Sequence, residues 1–212
     1  MTIPDAPSAG AANPAYARLF ERNRAWVAER TAADPEFFSR RAAAQTPTFL
    51  FIGCSDSRVS AELLTGVQPG EMFVHRNVAN VVAHADLNLL AVLQYAVDTL
   101  RVQAILVCGH YGCGGVRAAM GEGSDGLVDH WLRGVRDVIA RHEAELAAIG
   151  DDEARYRRVV ELNTADQASN LRRNPVVRAA WARGQALSIH AMVYGLADGI
   201  LRDLGVSFDG RR

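Results

Sequence analysis

Thr48-Phe49-Leu50-Phe51-Ile52-Gly53 is a short, uninterrupted apolar run with β-branched and aromatic members. It follows Pro47 and gives way to the polar Ser55-Asp56-Ser57, and a run of this kind predicts a strand that is buried on both faces. The stretches Met72 to Arg76 and Ala104 to Cys108 have the same character. Strands buried on both faces need helices on either side. The sequence therefore predicts an α/β fold with a mostly parallel central β-sheet flanked by helices.

Helical spacing fills most of the remaining chain. The segment from Asp86 to Leu100 lies between the second and third predicted strands and is long enough for the crossover helix of a β-α-β unit. An amphipathic helix is predicted from about Ala15 to Arg30, and its apolar stripe has to be buried on something. A last strand, Ser188 to Tyr194, completes the sheet, and the end from Val206 is too short and polar to assign. Four further helices are predicted at roughly Gly114 to Met120, Val128 to Ile149, Asp151 to Arg173 and Pro175 to Arg183.

Length and composition predict one domain. A chain of 212 residues with 49% hydrophobic content can bury one full-sized core and is short for two. The first fourteen residues have neither the basic nor the apolar region of a secretory signal, so we expect a flexible N-terminal arm at 1–13, one domain at 14–212 and a cytoplasmic location. No apolar run approaches the roughly 18 residues of a membrane-spanning helix.

The charged residues exclude several classes of function. A formal net charge of -1 offers no basic excess for nucleic acid or for an anionic membrane. Every basic residue is an arginine, so the chain has neither a P-loop lysine nor a Schiff-base lysine. Three cysteines are an odd and sparse set, which favours metal ligation or plain burial over a disulfide framework.

Residues suited to metal chemistry follow two of the predicted strands. One strand end reads Cys54-Ser55-Asp56-Ser57-Arg58, and the other reads Cys108-Gly109-His110-Tyr111-Gly112-Cys113-Gly114-Gly115. Open α/β sheets bind their ligands at the carboxyl ends of the strands. Zinc prefers thiolate and imidazole, so a cysteine from one end and a His-x-x-Cys from the other supply three ligands. A fourth position remains for water or Asp56.

These two motifs resemble the signature motifs of the β-class carbonic anhydrases of bacterial type. The resemblance runs from about Gln45 to Gly199, and three intervening stretches support it: Pro69 to Asn80, Leu93 to Val97 and Trp181 to Gln185. It implies the β-carbonic anhydrase fold, with the N-terminal helix packing on a dimer partner in a homodimer or homotetramer. The implied activity is the zinc-dependent, reversible hydration of carbon dioxide to bicarbonate and a proton by zinc-bound hydroxide.

The resemblance also implies roles for individual residues. Cys54, His110 and Cys113 would hold one Zn²⁺ per subunit. Asp56 would either complete the coordination in a closed state or pair with Arg58 in an open one, so that the two residues act as a catalytic gate. The implied substrate-binding groups are Gln45, Phe73, Val78, Tyr95 and the backbone N–H of Gly114.

A possible non-catalytic bicarbonate site departs from the family pattern. Some bacterial members bind bicarbonate there through a tryptophan, an arginine and a tyrosine. Here the matching positions are Phe51, Arg76 and Tyr194. Phenylalanine keeps the apolar face but lacks the indole N–H donor, so we expect bicarbonate inhibition to be weakened or absent.

Other interpretations fit the same residues. The chain could hydrolyse carbon disulfide or carbonyl sulfide on this fold, or it could be a non-enzymatic module with a structural zinc ion. Asp56 and Arg58 could merely form a stabilising ion pair, and Cys108 is predicted to be a buried thiol that faces away from the site. The remaining histidines lack partner spacing and are predicted to be surface or core residues: His75, His84, His130, His142 and His190. The one partner predicted besides a second copy is a small molecule, carbon dioxide or bicarbonate, and we expect neither nucleic acid nor membrane.

Overall fold

A computed structural model describes residues 13–123 and 125–210, which divide into two compact units, Met1–Gln45 and Thr46–Arg212. The arm predicted at 1–13 lies outside the described residues except for Asn13. The single domain predicted at 14–212 stays a prediction. Among the described residues no helix combines the length and the apolar character needed to cross a bilayer.

The first unit contains two helices, α1 (Pro14–Ala33) and α2 (Phe37–Ala43). Asn13 caps α1 by accepting the N–H of Ala15, and Pro14 occupies the first helical position, where its missing N–H costs nothing. The predicted helix from Ala15 to Arg30 is therefore confirmed, whereas the short α2 was not predicted. The apolar stripe remains open: Tyr16, Leu19 and Trp26 are 49%, 58% and 40% exposed.

The second unit is built on one five-stranded sheet. Its strand order is β2-β1-β3-β4-β5, the first four strands are parallel, and β5 runs antiparallel to β4. The strands are β1 (Phe49–Cys54), β2 (Met72–Asn77), β3 (Ala104–His110), β4 (Ser188–Tyr194) and β5 (Leu201–Phe208). The four parallel strands confirm the prediction. The fifth was not predicted: it is a half-exposed edge strand with two consecutive polar residues, Arg202 and Asp203, and an interior glycine, Gly205.

Helices surround this sheet. The second unit contains α3 (Ala61–Thr65), α4 (Leu87–Gln94), α5 (Gly114–Met120), α6 (Leu127–Trp131), α7 (Arg133–Arg141), α8 (Glu143–Ala147), α9 (Asp152–Arg173) and α10 (Pro175–Ala182). The crossover helix is confirmed, since α4 continues through a π-helical turn at Tyr95–Thr99. One helix from Val128 to Ile149 was wrong. Three short helices form in place of one, with breaks at Leu132 and His142; the backbone of His142 leaves helical geometry, with φ -112° and ψ 19°.

The central strands β1 and β3 are buried on both faces, as predicted, whereas the predicted burial of β2 was wrong, because β2 is an edge strand with partly exposed residues. Leu50 and Ile52 of β1 face a core formed with α4, α9 and α10, in which Leu93 and Leu171 are fully buried. Phe51 faces the opposite side, together with the apolar residues Val59, Leu106 and Cys108. Because β1 and β3 are adjacent and parallel, their carboxyl ends meet at one edge of the sheet.

Candidate active site

Three metal-binding side chains converge at this edge. Cys54 is the last residue of β1, His110 is the last residue of β3, and Cys113 caps the start of α5. Their ligand atoms all lie within 4.8 Å of one another, and the two sulfur atoms are 3.9 Å apart. Both thiols are free, and the three residues are 5% exposed or less.

The imidazole of His110 is oriented for metal binding. Its Nδ1 lies 3.2 Å from the backbone carbonyl oxygen of Tyr111. A carbonyl oxygen can only accept, so Nδ1 carries the ring proton and donates a hydrogen bond to it. Its Nε2 is buried and has no hydrogen-bond partner within the described part of the chain. A buried lone pair beside two thiols is the donor set that zinc prefers, so these residues fit a Zn²⁺ ion.

The two thiols influence each other. The pKa of Cys54 is lowered, chiefly because the Cys113 thiol donates to its thiolate; the backbone N–H groups of Asp56 and Ala79 add to this effect. The pKa of Cys113 is raised, chiefly by the same interaction with Cys54 and then by burial. Thiols lose their protons when they bind a metal ion, so zinc binding to this pair would release protons.

The carboxylate of Asp56 lies beside the three ligands and is held by Arg58. Its Oδ2 is 3.9 Å from Nε2 of His110. The guanidinium of Arg58 binds both carboxylate oxygens and also donates to the carbonyl of Gly112 at 3.2 Å. This ion pair and the backbone N–H of Arg58 hold the pKa of Asp56 well below its usual range.

Two glycines allow the chain to close around the ligands. Gly112 has a φ of 80°, a left-handed conformation that turns the chain between His110 and Cys113. A Cβ on Gly115 would lie 2.9 Å from Cγ1 of Val78, so only glycine lets the segment after β2 approach α5 so closely.

The residues predicted to bind substrate fall into four places. Phe73 and Tyr95 are in contact, with ring centroids 5.7 Å apart. Val78 lines a cavity of about 420 Å³ beside Trp131. Gly114 begins α5, with no heavy atom within 4 Å of the place a Cβ would take. The last member of the set, Gln45, is exposed and belongs to the first unit.

The residues predicted for a second bicarbonate site have other contacts. Phe51 is completely buried. Arg76 donates to the carbonyls of Cys54 at 2.8 Å and Asp56 at 2.5 Å, so its guanidinium supports the loop that carries these two residues. Tyr194 is half-buried at the end of β4. Sequence analysis did not identify this supporting role of Arg76.

Polar residues of α9 that contact the site were also missed. Tyr156 is fully buried and donates its hydroxyl to the carbonyl of Cys113 at 2.9 Å. Asn163 and Gln167 are buried in the same helix. Their positions continue the apolar stripe marked by Val160, so polar side chains on a buried stripe are the signal that could have found them.

Together the fold and the site define an α/β protein with a zinc-type Cys-His-Cys centre at the carboxyl edge of a parallel sheet. A family model described as carbonic anhydrase matches residues 49–201. The chain belongs to the β-class carbonic anhydrases, which confirms the resemblance.

Individual relatives agree with this assignment. A carbonic anhydrase of Emericella nidulans is 48% identical over 193 residues, which cover 91% of this chain and 85% of that protein. A tetrameric β-carbonic anhydrase from Sordaria macrospora has a TM-score of 0.87 and 37% identity, covering 92% of this chain and 100% of its own. The Coccomyxa β-carbonic anhydrase in complex with acetazolamide also has a TM-score of 0.87, with 40% identity over 96% of this chain and 90% of its own.

Proposed function

We propose that the chain is a zinc-dependent carbonate dehydratase that hydrates carbon dioxide reversibly to bicarbonate and a proton, with Cys54, His110 and Cys113 as the zinc ligands. One observation carries this proposal: three buried ligand atoms lie within 4.8 Å of one another, next to a carboxylate that an arginine holds. Zinc, when bound, supplies the Lewis acidity that lets a water molecule ionise near neutral pH.

Asp56 and Arg58 form the gate in this proposal. The two-point ion pair keeps the carboxylate directed at the guanidinium, which leaves the space beside the ligands free for water. The carboxylate is ionised because Arg58 lowers its pKa, so it can accept a hydrogen bond from the attacking water and orient that water toward carbon dioxide. The contact of Arg58 with the Gly112 carbonyl fixes the guanidinium to the loop that bears Cys113.

The substrate pocket is proposed from the family resemblance. Phe73, Val78 and Tyr95 supply apolar surface, which suits a small non-polar substrate. The N–H of Gly114 is at the N-terminus of α5, where backbone donors are free to bind an oxygen atom. We assign the amide of Gln45 to bicarbonate binding on the family resemblance alone.

We also propose a homodimer or homotetramer in the cytoplasm. The Sordaria macrospora relatives are tetrameric, and the open apolar stripe of α1 gives this chain a surface to bury on a second copy. Three cysteines without a disulfide suit a reducing compartment.

A further proposal concerns bicarbonate. With Phe51 buried and without an N–H donor, and with Arg76 engaged by two carbonyls, we expect bicarbonate to inhibit weakly and without cooperativity. Initial rates at increasing bicarbonate test this, and strongly cooperative inhibition would contradict it.

The decisive test is stopped-flow hydration of carbon dioxide at about pH 6.5 to 9, on protein of measured zinc content. Asp56→Asn should lose about 100-fold or more in kcat and keep its zinc. The matched control is Asp198→Asn, which removes another Asp–Arg pair, Asp198 with Arg202 at 2.5 Å, from an exposed turn. We expect that control to leave the rate unchanged. Zinc-loaded protein that is inactive at every pH would contradict the proposal, and carbon disulfide and carbonyl sulfide would be the next substrates to assay.

A further inference from the structure

Two consecutive residues after β2 adopt the left-handed backbone conformation. Ala79 has a φ of 63° and Asn80 has a φ of 47°. Asparagine tolerates this region, but alanine adopts it rarely because its Cβ approaches the backbone. A conformation of this kind persists only where the surroundings enforce it. Ala79 is fully buried in the same cluster as Cys54, and it follows closely after Asn77, the residue of β2 that pairs with Cys54.

Two buried amides on α9 enforce this conformation. Asn163 donates its Nδ2 to the carbonyl of Ala79 at 3.1 Å. Gln167 lies one turn further along α9 and accepts the N–H of Val82 at 2.7 Å. Gln167 also donates to Oδ1 of Asn163 at 3.0 Å, so the two amides act as one unit. This unit grips both ends of the segment 79–82, and we call it the amide clamp.

The side chain of Asn77 holds the same segment from the strand. Its Oδ1 accepts the N–H of Val81 at 2.7 Å, and its Nδ2 donates to the Val81 carbonyl at 2.8 Å. The path of the chain around Ala79 is therefore fixed by side chains on both sides rather than by regular secondary structure.

Burying the two side-chain amides of the amide clamp costs desolvation free energy. Asn163 is 0% exposed and Gln167 is 1% exposed, while Val159, Val160 and Leu171 on the same helix are apolar. A buried amide loses its hydration and regains it only through well-formed hydrogen bonds. Leucine or methionine at these two positions would fill the core at less expense, so the amides are explained by the geometry that they impose on Ala79.

We propose that Asn163 and Gln167 are positioning residues for the zinc centre: they hold Ala79 in its left-handed conformation, which aims the Ala79 N–H at the sulfur of Cys54. This inference rests on the proposed function, since it concerns the zinc ion that Cys54 would hold. Hydrogen bonds to a ligand orient it and tune its donor strength, and losing such an outer partner typically weakens metal binding 10–100-fold.

The test compares zinc affinity in the full-length wild-type chain, Asn163→Leu and Thr164→Val, by competition with a chromophoric chelator. Thr164 is the matched control: it is fully buried and next in sequence, but its hydroxyl donates only to Val160 of its own helix, at 2.8 Å. We expect Asn163→Leu to bind zinc about 10–100-fold more weakly and Thr164→Val to bind as wild type does. The thiolate-to-cobalt charge-transfer band of the Co²⁺-loaded protein should shift in Asn163→Leu alone.

The outcomes separate this inference from the proposed function. If the wild-type chain binds no zinc, both fail. If wild type and Asn163→Leu bind zinc equally and show the same cobalt spectrum, the positioning role alone is overturned, and an equal loss in Thr164→Val overturns it as well. Asn163→Ala is measured in the same way should Asn163→Leu not fold. If neither variant folds and Thr164→Val does, the amide is a folding determinant and the inference is wrong.

Discussion

The guanidinium of Arg58 meets the carboxylate of Asp56 at two points, with Nε 2.9 Å from Oδ1 and Nη2 2.6 Å from Oδ2. The backbone N–H of Arg58 donates to the same Oδ1 at 2.9 Å, so a tight local turn sets the pair before any distant contact forms. A planar, forked donor is needed for this geometry, which lysine cannot supply. The carboxylate is thereby directed at Arg58, and its Oδ2 stays 3.9 Å from Nε2 of His110.

Arg58→Ala should lower kcat for carbon dioxide hydration about 100-fold while zinc content stays at one per chain, because the carboxylate of Asp56 loses the partner that holds it. Stopped-flow rates and metal analysis on the same samples measure this. Arg58→Lys keeps the charge without the fork and should retain an intermediate rate. A rate in Arg58→Ala within twofold of wild type would show that the ion pair serves only stability.

Removing zinc should destabilise the fold as well as abolish activity. A ligand that binds the folded state alone stabilises it by about 2.7 kcal/mol at one hundred times its dissociation constant. Urea unfolding of chelator-treated and zinc-reconstituted protein should therefore show a lower midpoint without zinc, which returns when zinc is added. In Cys54→Ser, which loses a thiolate ligand, the midpoint should respond much less to zinc. Equal responses in both proteins would place the stabilising zinc elsewhere.

Local patterns were enough to predict the sheet and the metal ligands. The strand before Cys54 and the strand before His110 are continuous apolar runs, and ligands at two adjacent strand ends must converge once the sheet is parallel. The crossover helix before β3 has its own stripe and its own cap at Asp86. These features depend on residues close together in the sequence.

Features that depend on distant contacts could not be predicted in this way. The edge strand β5 carries polar residues such as Arg202 and Asp203, and only pairing with β4 makes it a strand. The break at Leu132 has no proline or glycine at that position to mark it in the sequence. Asn163 stands out as a polar residue on a buried stripe, but the sequence does not identify its partner, Ala79, which lies 84 positions away in the chain.

Close packing between β3 and α9 predicts a large cost for Gly109→Ala. The added Cβ would lie 2.1 Å from Oγ1 of Thr164 and 3.4 Å from Cγ1 of Val160, so the helix or the strand must move. Overpacking of this kind lowers the free energy of unfolding by about 1–3 kcal/mol. Adding Thr164→Ala to Gly109→Ala should recover part of the loss. Urea unfolding of the wild type, the two single variants and the double variant gives the interaction energy between the two positions.

A glycine elsewhere in the chain provides the control for that substitution. Gly134 lies in α7 with no heavy atom within 4 Å of the place a Cβ would take. Gly134→Ala should therefore leave stability unchanged or raise it by up to about 1 kcal/mol, through helix propensity. If Gly109→Ala is as harmless as Gly134→Ala, β3 and α9 are less tightly packed than the structure indicates.

His75 should make stability fall in mild acid. Burial lowers the pKa of its imidazole, and the nearby Asp86 carboxylate offsets only part of that effect. Its Nε2 lies 3.2 Å from Nδ2 of Asn77, whose amide is fixed by the two hydrogen bonds to Val81. Nε2 of His75 must therefore accept a hydrogen bond from the Asn77 amide. Protonating the imidazole would put a second N–H donor opposite that amide N–H.

The sign follows from proton linkage. An unfolded histidine has a pKa of about 6.5, and the folded state binds its proton less readily, so the stabilisation from neutral His75 is complete above that pH and is lost as the pH falls below it. Unfolding free energies at about pH 7.5 and 5.5 should fall more steeply for wild type than for His75→Gln, which keeps an acceptor and does not titrate. His84→Gln, at an exposed position, should retain the wild-type slope. Parallel slopes for wild type and His75→Gln would assign the acid sensitivity to other groups.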